Sequence, residues 1–194
     1  MSTSITPPKR VFPPLYTPTG DSLKDKLAFI HILERLKVYH MYRMAMLAML
    51  SEDPNLDISK CVMMALVHDL AEAQVGDIAP REGIPKAEKH RLESEAMHNI
   101  VHDMLHNSPA AQKINSLWME YEEGQSPEAK FVKDLDRFEM ASQALEYERN
   151  HGASLQPFFD SSVTKIRHSQ VQEWGQGLME EREQMKNRSM KQDT

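Results

Sequence analysis

The chain has 194 residues, 29 acids against 23 bases for a formal charge of −6, and one cysteine. That length suits a single domain able to bury its own core. The acidic balance excludes a basic stripe for nucleic-acid polymers, the lone Cys61 excludes an internal disulfide framework and suits a reducing compartment, and no apolar run reaches the length of a membrane span.

In chain order, residues 1–20 carry Pro7, Pro8, Pro13, Pro14 and Pro18 and lack the apolar run of a signal peptide; they read as a disordered leader. From Asp21 onward the pattern is helical almost throughout. Expected helices run over 22–37, 38–51, 58–75, 85–106, 109–123, 127–150 and 168–187. Gly76 ends the third, and Ile84-Pro85 opens the fourth. Ser108-Pro109 and Ser126-Pro127 each read as an N-cap followed by proline at the first helical position, while Gly124 and Gly152 close those helices. The expectation is an all-α bundle without internal repeats, one domain over 21–187 and a disordered tail over 188–194. The working compartment is the cytoplasm.

Polar residues at core positions come next. In HDLAEAQVGD, residues 68–77, Glu72 falls four residues after His68 and three after Asp69, which places the three on one side of a helix; Asp77 lies just past its end. His40 shares an apolar face with Met44 and Leu47, and Asp136 lies in a row with Val132 and Met140. Each alone has an ordinary reading: a hydrogen-bonded core histidine, or a buried carboxylate accepting helix–helix hydrogen bonds. Together, three helices offer inward imidazole or carboxylate groups, a nitrogen and oxygen set that suits a divalent first-row ion or Mg²⁺ and disfavours a thiolate-bound zinc. A rival stripe, His98, His102 and His106 with Asp103 beside it, has charged flanks and reads as a solvated face.

The order His40, then His68-Asp69 after an apolar run, then Asp136, resembles the HD-domain metal-dependent phosphohydrolases. HMYRMA, ALVHDLAEAQVGDIAP, IPKAEKHR and EAKFVKDLD bring the resemblance to the HD-domain-containing 5′-deoxynucleotidases, over about Leu27 to Phe159. The resemblance implies an HD-domain helical bundle that hydrolyses deoxyribonucleoside 5′-monophosphates with a divalent ion such as Mn²⁺, Co²⁺ or Mg²⁺, and it admits a homodimer. It implies His40, His68, Asp69 and Asp136 as metal ligands. Glu72 and Asp77 would be catalytic acids near the attacking water or a second cation, assisted by the carbonyl of Ile78. Lys133, three residues before Asp136, and Arg43, three after His40, are candidates for the phosphate, with a snorkelling surface role as the other reading.

One departure accompanies the resemblance. The family carries a loop of about twenty residues with an Arg and a Trp before the first ligand His, whereas here LERLK meets HMYRM through Val38-Tyr39, and the two tryptophans, Trp118 and Trp174, lie elsewhere. The join predicts a helix that fuses with the next or a turn strained into residues near Val38. It also frames an alternative function, a non-catalytic metal-binding HD-fold interaction module.

Overall fold

The computed structural model describes residues 10–79 and 82–192, and the first nine residues of the expected leader lie outside it. The described residues are helical with no strand. The helices are α1 Ser22–Ile32, α2 Val38–Met49, α3 Ile58–Val67, α4 Glu72–Val75, α5 Lys86–His98, α6 Pro109–Glu123, α7 Pro127–His151, α8 Gln156–Ser162 and α9 Ser169–Gln192. They fall into two compact units: residues 1–36 with 69–113, and residues 37–68 with 114–194.

Capping chemistry sets most boundaries. The Asp21 carboxylate accepts from the Leu23 and Lys24 amides, Asp57 from Lys60, and the Ser126 hydroxyl from Ala129, each satisfying a donor that the first helical turn leaves open. Pro127 occupies the first turn of α7, and Gly152 closes that helix in the left-handed region at φ 63°. The tail expected over 188–194 is helical through Gln192. Helix α8, which begins with Gln156-Pro157, was not foreseen.

In the second unit, α2, α3 and α7 pack on one another. Met44, Met64, Phe131, Val132 and Leu135 fill the centre, and Ala45, Ala48, Ala65 and Ala129 let the helices approach closely. Farther along α7, Arg182 of α9 is fully buried. It donates to Glu148 at 2.7 and 2.9 Å and to Gln156 at 2.8 Å, and stacks over Phe159 at 3.9 Å, so the buried guanidinium is both paired and packed.

In the first unit, α4 packs on α5, and α1 packs on the π-helical turn Asn99–Met104 that extends α5. Within residues 10–19, Arg10, Tyr16 and Thr19 hydrogen-bond to the rest of the unit. Arg10 donates to the Asp77 and Val75 carbonyls, both at 2.7 Å, and pairs with Glu82 at 2.9 Å. The buried Asp25 carboxylate accepts from the Tyr16 hydroxyl at 2.6 Å, the Thr19 hydroxyl at 2.7 Å and the Thr19 amide at 2.9 Å, and meets His106 at 3.0 Å. These donors are invisible to composition, because prolines exclude helix without excluding side-chain hydrogen bonds.

Three local expectations are corrected. The helix expected over 58–75 breaks: α3 ends at Val67, and hydrogen bonds from Glu72, Ala73 and Gln74 to carbonyls three residues back tighten the chain before α4. No Gly or Pro marks that break, and His68, Asp69 and Glu72 do not share one continuous α-helical face. Helices α1 and α2 neither fuse nor strain at Val38. A 3₁₀ turn, Leu33–Arg35, leads to Leu36 at φ −81°, ψ 155° and Lys37 at φ −75°, ψ 71°, both unstrained. The expected 85–106 helix changes to π geometry at Asn99. His98 and His102 stack with centroids 4.3 Å apart while His106, at φ 52°, ends on Asp25, so the three-histidine stripe does not form.

The Thr19 and Tyr16 donors hold the Asp25 carboxyl down at about 2, against an ordinary 3.8. A depressed carboxylate contributes stability that is present above its unfolded pKa and lost as pH falls through the folded one. Protection of the Thr19 amide against hydrogen exchange should therefore decline as pH falls from about 4 to 2, and Asp25→Asn should remove that protection at neutral pH. An unchanged exchange rate in the variant would show that this carboxylate does not hold the segment.

Candidate metal centre

His40 enters from the first turn of α2, His68 caps α3, and Asp136 projects from α7. All three belong to the second unit, and one ligand atom from each lies within 4.8 Å of the other two. Metal–ligand bonds of about 2.0–2.3 Å put opposed ligands roughly 4–4.6 Å apart, so the spacing admits one ion. The histidines are 5 % and 4 % exposed.

Both imidazoles are held by Nδ1. His68 Nδ1–H donates to the Ala65 carbonyl at 2.9 Å, and His40 Nδ1–H donates to the Glu139 carboxylate. A ring whose Nδ1 carries the proton has its lone pair on Nε2, the atom that then serves as ligand. His40 Nε2 lies 3.3 Å from Asp136 Oδ1. The donor set is thus two imidazole nitrogens and a carboxylate oxygen, which fits a divalent cation. Cys61 takes no part: it is fully buried, and burial pushes its thiol up to about 12.

Tyr121 and Glu139 complete the surroundings, and neither was singled out from the sequence. The Tyr121 ring packs on His68 with centroids 5.0 Å apart, while its hydroxyl donates to Asp136 Oδ2 at 3.2 Å. Glu139 was legible in principle, since Phe131, Leu135 and Glu139 form an i, i+4, i+8 row and all are buried. The row chosen instead, Val132, Asp136 and Met140, is only partly inward. Met140 is 37 % exposed and the Asp136 side chain 26 %, so Asp136 stands at the margin of the buried face.

Arg43 turns toward α7, with Nε 3.2 Å from Glu139, Nη2 2.7 Å from the Ser142 hydroxyl and 3.0 Å from Glu146. Lys133 lies half-buried with its ammonium 4.0 Å from the centre of the Tyr121 ring. Burial lowers its pKa, against the opposing pull of Glu122 and Asp136. Gly124, at φ 62°, leaves room for its stem, because a Cβ there would come within 2.9 Å of Lys133 Cε.

Asp69, Glu72, Asp77 and Ile78 belong to the first unit, whose second segment begins at Asp69, one residue after His68. Asp69 lies in the turn after α3, and Glu72 opens α4. Asp77 follows Gly76, whose φ is 69° and whose missing Cβ would stand 2.5 Å from Arg10 Nη2; Ile78 is buried. Lys89 of α5 is a cation in this acidic neighbourhood. Burial would lower its pKa, but the carboxylates of Glu93, 3.4 Å away, and of Glu72 and Asp77 outweigh that and raise it.

The pattern matches a known family. An HD domain family model covers residues 37–176, and the chain belongs to the HD domain family. The 5′-deoxynucleotidase hdd1 of Schizosaccharomyces pombe is 47 % identical over 148 residues, 75 % of each chain. The mouse 5′-deoxynucleotidase HDDC2 is 47 % identical over 153 residues, 78 % of this chain and 74 % of its own. Among solved structures, the HD domain-containing protein YGK1 of Saccharomyces cerevisiae superposes with a TM-score of 0.67 at 33 % identity, covering 87 % of this chain and 90 % of its own.

Burial by itself would lower the His40 pKa, but Asp136 and Glu139 outweigh it and hold the metal-free imidazole up at about 10. An ion that takes Nε2 must displace that proton, and raising the pH toward 10 removes the competitor. Affinity for Co²⁺ should therefore rise about tenfold per pH unit between pH 6 and 8. Calorimetric titration in buffers of different ionisation enthalpy should register the released proton. A pH-independent affinity would rule out a protonated His40 in the metal-free protein.

Proposed function

We propose that this chain is a metal-dependent 5′-deoxynucleotidase that hydrolyses deoxyribonucleoside 5′-monophosphates to deoxynucleoside and phosphate. The observation that carries the reading is the convergence of His40, His68 and Asp136, both imidazoles held through Nδ1, in a chain whose relatives at 47 % identity are named 5′-deoxynucleotidases. Those relatives match about three quarters of the chain, which favours turnover over the non-catalytic module.

When bound, a divalent ion would supply Lewis acidity toward a water and the phosphoryl oxygens. His40, His68 and Asp136 would hold it, with Asp69, peptide-bonded to His68, as fourth ligand. Two imidazole donors favour Mn²⁺ or Co²⁺ over Mg²⁺. Glu72 orients the water and takes its proton as the oxygen attacks phosphorus and the P–O5′ bond breaks; the leaving 5′-oxygen takes a proton from solvent, to which Glu72 releases its own. Asp77 and the Ile78 carbonyl assist on the acidic side. Lys133 is the cation we assign to the phosphate, since its half-buried ammonium rests on the Tyr121 ring rather than on a carboxylate in an ion pair. The buried, free Cys61 accords with a cytoplasmic protein, and none of the described helices is long and apolar enough to cross a membrane.

Phosphate release from dAMP, dGMP, dCMP, dTMP and the matching ribonucleotides, with Co²⁺, Mn²⁺ or Mg²⁺, tests the activity. Glu72→Ala should retain the metal and lose roughly 10²–10⁴-fold in turnover. His68→Ala should lose both. Metal binding by the wild-type protein with no release from any deoxynucleotide would refute the enzyme reading.

A second copy of the chain is the partner we assign to α2. Tyr39, Tyr42, Met46 and Met49 recur at i, i+3, i+7 and i+10 and are 85 %, 59 %, 43 % and 61 % exposed, an apolar stripe suited to isologous packing against itself. Sedimentation should give a dimer that Tyr42→Glu with Met46→Glu converts to monomer; a wild-type monomer at high concentration would remove this partner.

A further inference from the structure

The two histidines of the centre are held differently. His68 donates its Nδ1–H to a neutral backbone carbonyl, and His40 donates to a carboxylate. That carboxylate is fully buried, hydrogen-bonded through Oε2 and paired with a guanidinium at Oε1. Arg43 Nε stands 3.2 Å from Glu139 Oε1, and the Gln143 amide donates to Oε2 at 2.6 Å. Arg43 is anchored in turn by Ser142 and Glu146. The result is a chain from the surface to the metal ligand, in which every member except His40 and Arg43 comes from α7.

We propose that Glu139 is the positioning residue of this centre: clamped by Arg43 and Gln143, it fixes the orientation of the His40 ring and directs Nε2 at the cation. Two physical points support this role. A carboxylate partner makes an imidazole a stronger donor than a carbonyl partner does, so His40 is the more strongly polarised nitrogen ligand. A fully buried carboxylate is costly without a cation, and Arg43 supplies one 3.2 Å from Oε1. Glu139 touches neither water nor substrate in this role; it acts through His40. The inference rests on the assignment of His40, His68 and Asp136 as ligands.

Metal-free, full-length protein titrated with Co²⁺, followed by heat and by visible absorption, separates the two. Glu139→Gln keeps the shape of the side chain and an acceptor oxygen but removes the charge. It should bind Co²⁺ about 10–100-fold more weakly, with native circular dichroism and with the KM for dAMP at saturating Co²⁺ unchanged. Arg43→Gln, on the surface side of the clamp, should shift affinity the same way by a smaller factor, and it decides the matter if Glu139→Gln does not fold. Wild-type Co²⁺ affinity in folded Glu139→Gln overturns the positioning role, as does wild-type affinity in Arg43→Gln if that variant alone can be measured. His68→Ala is the control for the underlying reading: undiminished Co²⁺ binding there overturns the ligand assignment, and the positioning role with it.

Discussion

His40 stands between two carboxylates of one helix, with Nε2 3.3 Å from Asp136 and Nδ1–H on Glu139. Asp136 and Glu139 are three residues apart on α7, so both reach the same side of that helix, and one imidazole from α2 fits between them. This clasp ties the chemistry to the packing. The alanines and methionines shared by α2, α3 and α7 bring the helices close enough for it to form, and it in turn brings polar groups into a core that would otherwise be apolar. A buried imidazole and a buried carboxylate are each costly alone and compensate each other as a pair.

The same economy appears in the first unit, where the buried Asp25 carboxylate is satisfied by Tyr16, Thr19 and His106. Arg10, likewise, satisfies the Val75 and Asp77 carbonyls that a helix end leaves open beside Gly76. Residues ahead of α1 thus serve as hydrogen-bond donors to the segment that carries Glu72 and Asp77. The acidic motif 68–77 is an irregular turn and one short helix. Its backbone groups are satisfied from outside, and such a segment takes its form from partners remote in sequence.

Helix α7 carries three of the groups around the centre. Along one helix, Lys133 rests on the Tyr121 ring, Asp136 accepts from the Tyr121 hydroxyl, and Glu139 holds His40. Side chains at i, i+3 and i+6 lie about one turn apart, so Lys133, Asp136 and Glu139 stand along one side of the same helix.

The helical class, most helix positions, the Ser126-Pro127 and Gly152 boundaries, and the convergence of His40, His68 and Asp136 were legible in the sequence. Each depends on a local rule: periodicity, capping, or a polar residue on an apolar face. The break after Val67, the π turn at Asn99, the hydrogen bonds of residues 10–19 and the unstrained turn at Leu36-Lys37 were not legible. No Gly or Pro marks the first two, and the third depends both on Asp25, six and nine residues from its donors, and on partners 65 to 83 residues away. Glu139 shows the division most plainly. Its row with Phe131 and Leu135 was present in the sequence, but a glutamate on an inward row acquires a role only when a histidine 99 residues away and an arginine beside that histidine arrive to meet it. Sequence determined which groups were available and on which helices; tertiary packing decided which pairs formed, because the electrostatic compensation of a buried charge comes from whatever partner the fold brings within hydrogen-bonding distance.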